Sequence, residues 1–432
     1  MRKLTALFCA LTLTVSLLAG CGNSGENNNS TTTVENGENG ENTQTGEDEN
    51  SAQTWEGLMP EDSYEERAIL RDKNLSRIDE VLKRAEAGED LVIGFIGGSI
   101  TMGSGASGSD KCYAARVFDW WETTFPQAHF TYVNAGIGAT DSKFGCARCY
   151  DDLLQYNPDF VIVEFSVNDS DDTSFSESFE SLVRMILSYE TNPALLILNM
   201  VTYDTGYNAQ DTHNTIAFKY NLPVVSMKTS IYADIEAGNL KATDVSSDMT
   251  HPNDLGHEYT ARIVTYFLEK TYAHAFEDSC YEEWELPEKT HNKKLYSLKA
   301  TRLRNPELDA IATVNGFVKD ESEPYGITDV FKLGYEAYNE GDSISFTVTG
   351  SMIELQYRKS KSCNCPEAIV IIDGNEENAV SISGNYPDGW GDWLYLDTVY
   401  KGEEGEHTVE IRLTSSGEKS FYFVSCITGT LE

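Results

Sequence analysis

Basic side chains are scarce in this 432-residue chain. Lys and Arg number 32 against 70 Asp and Glu, a formal net charge of −38. A phosphate backbone would be repelled, which excludes a nucleic-acid partner. Anionic lipid headgroups offer no electrostatic docking either. Long apolar runs are missing as well. The longest, residues 4–18, is too short for a comfortable membrane span. Cysteine is too thin for a disulfide framework. Once Cys9 and Cys21 are set aside with the leader, an odd set remains: Cys112, Cys146, Cys149, Cys280, Cys363, Cys365 and Cys426. At least one thiol must stay unpaired within the chain. Cys363 and Cys365 are too tightly spaced to read with Cys146 and Cys149 as a zinc site. Buried free thiols with one or two disulfides are expected instead.

What is present is a globular composition, 40% hydrophobic and 11% aromatic, enough for a sizeable core in about two or three domains. Arg2 and Lys3 precede the apolar run, which ends in Leu18-Ala19-Gly20-Cys21. Small residues before that Cys resemble a bacterial lipobox. The resemblance implies export, with residues 1–21 as signal peptide and Cys21 as the lipidated anchor in the bilayer. Residues 22–54 hold one large aliphatic, Val34, and no basic residue. Such a stretch cannot bury enough surface to fold and reads as an acidic tether reaching roughly 30 Å.

From residue 64 the pattern is α/β. Ile69, Leu70, Leu75, Ile78, Val81 and Leu82 suggest one helix over 64–88, stopped by Gly88. Five apolar runs follow at 91–96, 130–135, 159–165, 194–200 and 222–227, separated by helix-length segments, and a last helix spans 253–272. This alternation predicts a flavodoxin-like, doubly wound parallel sheet with ligands bound at the carboxyl ends of the strands. After about residue 285, helix periodicity stops. Short alternating runs at 343–348, 353–358, 368–373, 393–400, 407–413 and 421–427 predict an antiparallel β-sandwich. The domains are therefore drawn at 55–285 and 286–432.

Four short segments carry chemistry. Gly97-Gly98-Ser99 follows the first strand, where a sharp turn can expose a hydroxyl, although such triplets are also common turns. Asn134 to Thr140 follows the second and can present backbone N–H groups to an oxyanion, or simply turn tightly. Asn168 ends the third, where a side-chain amide can donate to developing charge. Asp248-Met249-Thr250-His251 precedes the last helix and pairs a candidate general base with a carboxylate that can hold its tautomer.

In this order, the four segments resemble the SGNH (GDSL-like) hydrolases over roughly 64–272. The resemblance implies a three-layer α/β/α fold and a catalytic Ser99, Asp248 and His251. It places the oxyanion hole at Ser99, Gly138 and Asn168, with Ala139 the other position onto which the family's second glycine can fall. The usual Asp before the nucleophile is replaced by Gly98. The implied reaction is ester hydrolysis through an acyl-enzyme on Ser99, with no metal or organic cofactor. An exported esterase beside a β-sandwich also resembles bacterial carbohydrate esterases, which implies an acylated glycan as partner. A lipase, thioesterase or O-acyltransferase would use the same residues, and a non-catalytic glycan-binding lipoprotein is the reading from outside the enzymes.

Other polar residues read as follows. Asp141, Arg148 and Asp169 can shape the site, but solvated turns are the preferred reading for each. His257 shares a helix face with Ala261, Val264 and Leu268 and is expected to be packed. His213 has no evident partner, and at least one of Trp120 and Trp121 is expected in the core. Trp390 and Trp393 are either sugar-stacking loop residues or plugs of the β-domain.

Overall fold

The computed structural model describes residues 63–429, apart from 172, 289–300, 304 and 390. The leader, Cys21, the acidic segment 22–54 and Trp390 lie outside the described residues.

The first lobe runs α1 (Tyr64–Ala68), β1 (Ile69–Arg71), α2 (Ser76–Glu86), β2 (Asp90–Gly97), α3 (Ser99–Met102), α4 (Tyr113–Thr124) and β3 (His129–Gly136). It continues through α5 (Ser142–Asp152), β4 (Phe160–Glu164), α6 (Thr173–Leu187), β5 (Ala194–Asn199), α7 (Gln210–Lys219) and β6 (Val224–Ser226). It closes with α8 (Ala233–Glu236), α9 (Ala242–Val245) and α10 (Asp254–Tyr272). The sheet order is β1-β6-β5-β4-β2-β3. The ladders joining β2 to β6 are parallel, and β1 adds to β6 antiparallel. Counted from β2, the parallel strands read 2-1-3-4-5, the flavodoxin-like order, with its topological switch between β2 and β4.

The single helix expected over 64–88 is instead two helices flanking a strand. Ile69 turns the backbone extended, and Ile69 and Arg71 pair with Val225 and Val224. Asn74 then takes a left-handed φ of 56° before α2 begins. Asn tolerates that region, and pairing with Val224 and Val225 at the sheet edge overrides the helical spacing.

Period-two alternation sorts the strands between two cores. On one face Phe95, Phe160, Ile162, Leu196 and Leu198 pack with Val81, Trp121 and Phe267 from α2, α4 and α10. On the other, Val161, Val163, Leu195 and Ile197 pack with Phe144, Phe179 and Ile216 from α5, α6 and α7. Trp121 is fully buried and Trp120 packs against the same cluster.

The second lobe contains β7 (Thr301–Leu303), α11 (Asn305–Asp309), β8 (Thr313–Asn315), β9 (Val318–Lys319) and β10 (Tyr335–Ala337). Then come β11 (Ser343–Ser360), β12 (Glu367–Ile372), β13 (Val380–Ser383), β14 (Asp392–Leu413) and β15 (Phe421–Gly429). All its ladders are antiparallel. The runs expected as separate strands at 343–348 and 353–358 are one strand, β11, and those at 393–400 and 407–413 are one strand, β14. Their ladder shifts register next to the Gly350–Gly405 pair, so both strands bend there without breaking. The two halves then face each other: Phe346 stacks on Phe423 at 5.8 Å, and a sandwich core forms from Ile344, Leu355, Val370 and Ile411.

The two lobes share apolar contacts. Met352, Tyr422, Val424 and Ile427 belong to the same cluster as Phe144 and Phe165, and residues 55–432 form one compact unit.

Candidate active site

The site sits at the switch point. β2 ends at Gly97, Gly98 caps the next turn, and Ser99 opens α3. Glycine at 98 leaves room for the Asn168 side chain: a Cβ there would lie 2.3 Å from Asn168 Oδ1. Asn168, just past β4, is therefore set directly against the residue before Ser99.

The loop before α10 carries Asp248 and His251. Its ends meet in an isolated Ser246–Pro252 bridge. Met249 turns left-handed at φ 68°, and its carbonyl accepts from Tyr203 N–H at 2.7 Å. This tight turn brings His251 Nε2 to 2.8 Å from Ser99 Oγ and His251 Nδ1 to 2.6 Å from Asp248 Oδ2. A carboxylate only accepts, so the proton sits on Nδ1 and Nε2 is left to accept from the Ser99 hydroxyl. Asp248 Oδ1 also accepts the backbone N–H groups of His251 at 2.7 Å and Thr250 at 3.0 Å. Partial burial pushes the Asp248 pKa up, but the His251 bonds and the Thr250 N–H outweigh it and hold the carboxyl at about 2.

Gly138 lies beside Ser99. A Cβ built on it would stand 3.9 Å from Ser99 Cβ and 3.4 Å from Met102 Cε. Ala139 follows with a left-handed φ of 58°. Asn134 anchors this loop: its Nδ2 donates to Thr101 O at 2.8 Å and its Oδ1 accepts Gly136 N–H at 2.9 Å. The geometry therefore brings together Ser99, His251, Asp248, Gly138 and Asn168, contributed by four separate chain segments.

Of the three residues expected in solvated turns, Asp169 and Arg148 are buried and Asp141 is half-buried. Asp169 is buried, accepts Ser142 N–H at 2.9 Å and meets His213 Nε2 at 2.9 Å. His213 thus has its partner, and its ring stacks on Phe179 at 3.7 Å. Arg148 is fully buried and donates to Ala135 O, Gly97 O and Asp152. Asp141 caps α5 by accepting Phe144 N–H at 2.9 Å; burial and the nearby Asp169 charge push its pKa up to about 7. Isolated polar residues near a strand end carry no signal in the sequence that separates a solvated turn from a buried strut.

His257 is packed as expected. Its Nδ1 accepts Tyr113 N–H at 3.2 Å and its Nε2 donates to Ser104 O at 3.1 Å, which fixes the neutral tautomer. Burial lowers its pKa to about 4. Thr101, Tyr113 and Glu164, none of them a candidate from the sequence, form a buried chain at α3. Thr101 Oγ1 lies 2.8 Å from Tyr113 OH and donates to Glu164 Oε2 at 3.1 Å. The Thr101 hydroxyl two residues after Ser99, and the Glu164 four residues before Asn168, are the only hints the sequence holds of it.

All seven described cysteines are free thiols, six of them buried, so the expected disulfides do not form. Trp393 is half-buried in β14, edge-on to Tyr386 at 5.1 Å.

Residues 95–259 match the model of the GDSL-like lipase/acylhydrolase family. A solved two-domain esterase active on acetylated mannans is 44% identical, with a TM-score of 0.81, and the match covers 85% of this chain and 99% of that one. The chain belongs to the GDSL-like lipase/acylhydrolase family. This GDSL-like hydrolase matches the same esterase co-crystallised with mannopentaose at 44% identity and a TM-score of 0.80, over 85% of this chain and 98% of the other. An acetylxylan esterase of Geobacillus stearothermophilus is 26% identical over 205 residues, which is 41% of this chain and 92% of that protein. The protein is thus a carboxylic ester hydrolase of SGNH type, with the expected α/β fold followed by a β-sandwich.

Proposed function

We propose that this esterase removes short acyl groups, O-acetyl above all, from a polysaccharide of the mannan or xylan type, through an acyl-enzyme on Ser99. The observation that carries the reading is the unbroken line from Ser99 Oγ through His251 to Asp248, at 2.8 Å and 2.6 Å. His251 Nε2 takes the hydroxyl proton as Ser99 Oγ attacks the ester carbonyl. Asp248 stabilises the imidazolium that forms and keeps the ring in register. The N–H groups of Ser99 and Gly138 and the Asn168 amide receive the oxyanion. Each such donor commonly contributes about 3 kcal/mol to lowering the barrier. His251 then gives that proton to the departing sugar oxygen, which leaves as a hydroxyl, and a water activated by the same ring releases acetate. The acetylated-mannan and acetylxylan esterases among the relatives support the substrate class. The lipobox-like Leu18-Ala19-Gly20-Cys21 and the acidic segment after it support work outside the cytoplasm, on a lipid anchor at Cys21.

The test is acetate release from acetylated mannan and acetylated xylan, beside p-nitrophenyl acetate and longer-chain esters, by the protein and by Ser99→Ala. Release that vanishes in Ser99→Ala and falls off with acyl length is the expected result. Undiminished release by Ser99→Ala removes the nucleophile. Cleavage of p-nitrophenyl acetate with neither glycan touched removes the substrate class. Cys21→Ala is expected to move the protein from the membrane fraction to the soluble one.

A further inference from the structure

We propose that Arg148 is a positioning residue for the oxyanion hole, one that sets the spacing between the Ser99 and Gly138 N–H groups. The inference rests on the acyl-enzyme reading above and deepens it.

Arg148 points from α5 into the end of the sheet and is fully buried. One guanidinium nitrogen donates to Ala135 O at 2.6 Å and the other to Gly97 O at 2.9 Å. These carbonyls belong to neighbouring strands, β3 and β2, at the last rungs of their ladder, where Gly97 pairs with Gly136. Gly97 O also accepts Ile137 N–H at 3.2 Å, so the fork closes over the seam itself. Ser99 is two residues beyond Gly97, and Gly138 is three beyond Ala135. A single planar group therefore spans the roots of both backbone donors.

The energetics favour a role beyond packing. A buried guanidinium is costly unless it is well paired. Here its carboxylate partner, Asp152, sits at 3.2 Å on the same nitrogen that serves Ala135, and Nε has no hydrogen-bond partner. An apolar side chain would fill the space at less desolvation cost. What it would not supply is a rigid two-pronged donor holding two strand ends at fixed separation. The oxyanion forms only after attack, so a spacing error here penalises the transition state and leaves substrate binding alone.

The experiment compares Arg148→Met and Arg148→Lys with wild type and Ser99→Ala on p-nitrophenyl acetate. Functional sites are counted by stoichiometric phosphonylation. The expected result is a full complement of sites whose kcat per site falls about 10²-fold with KM nearly unchanged, as for a misplacement on the order of 1 Å. Affinity for a boronic acid that forms a tetrahedral adduct is expected to fall by the same factor. Lys, with one head in place of a fork, does not restore the rate. Fewer sites at unchanged kcat per site, or a loss in KM alone, would mean that Arg148 merely supports the fold. If Arg148→Met does not fold, Asp152→Ala frees the shared nitrogen and is read the same way. A severalfold loss per site is then expected, and no loss per site overturns the proposal. Activity that survives in Ser99→Ala would instead defeat the acyl-enzyme reading.

Discussion

Gly105 leaves no room for a side chain beside His251. A Cβ on Gly105 would lie 3.1 Å from His251 Cβ and 2.2 Å from Pro252 O, and Gly105 has a φ of +91°. The loop after the nucleophile therefore closes against the loop carrying the base, at a position where any side chain is both strained and too large.

Gly105→Ala is expected to cost about 1–3 kcal/mol of stability from the left-handed backbone alone. It also pushes His251 away from Ser99, so kcat is expected to fall by more than about tenfold. Urea unfolding and steady-state kinetics on p-nitrophenyl acetate measure the two effects. A variant with wild-type kcat shows that this close approach does not set the His251–Ser99 distance.

Asp248→Asn keeps the shape of the turn but reverses the tautomer logic. An amide can donate to Nδ1, which moves the ring proton to Nε2 and removes the acceptor for Ser99. The expected loss in kcat is up to about 10⁴-fold, the scale seen when this orienting carboxylate is neutralised in serine hydrolases. With the Asp248 pKa held at about 2, this carboxylate stays ionised through mildly acidic pH. Because that pKa is depressed, its support for the loop is complete above the ordinary carboxylate pKa and fades only as pH falls through about 2. The kcat profile of wild type between pH 4 and 8 therefore carries no limb from Asp248. Retention of about a tenth or more of the activity in Asp248→Asn would falsify the orienting role.

The sheet and the meeting of Ser99, His251 and Asp248 were legible because each leaves a pattern. The parallel strands are unbroken apolar runs, and Asp248 and His251 share one short turn. The struts left no such pattern. Arg148 reads like any surface arginine, since burial depends on Gly97 and Ala135 arriving from distant segments. Asp169 and His213 are 44 residues apart in the chain yet meet at 2.9 Å. The strand Ile69–Arg71 was hidden because its apolar residues also fit a helical face, and only Val224 and Val225 make the sheet edge available.

His213→Leu leaves the buried Asp169 carboxylate with the Ser142 N–H and no ring partner. Breaking a buried pair by removing one side commonly costs about 3–5 kcal/mol. His213→Gln keeps a donor but loses the stack on Phe179 at 3.7 Å, and is expected to cost less. Asp169 adjoins Asn168, so kcat is expected to fall in both, more in the leucine variant. Denaturant midpoints together with kcat decide it. Two variants as stable as wild type would show that the Asp169–His213 pair is not a strut.

Glu164 gives the fold a pH dependence that runs opposite to that of Asp248. It is fully buried under Ser99. Burial lifts its pKa from an ordinary 4.5 to about 7, opposed by the Thr101 hydroxyl and aided by the Asp169 charge. A raised carboxyl pKa means that the folded state holds the proton while the unfolded state has already lost it. Stability is therefore greatest below about pH 4.5 and declines as pH rises through about 7, by on the order of 3 kcal/mol from this one group. Glu164→Gln is neutral at every pH and still offers an acceptor to Thr101 Oγ1. Relative to wild type it is expected to be more stable at pH 8 than at pH 5, by most of that margin. Urea unfolding of both proteins at the two pH values gives the double difference directly. A double difference near zero would mean that Glu164 enters the fold already ionised, with its charge met by the donors around α3.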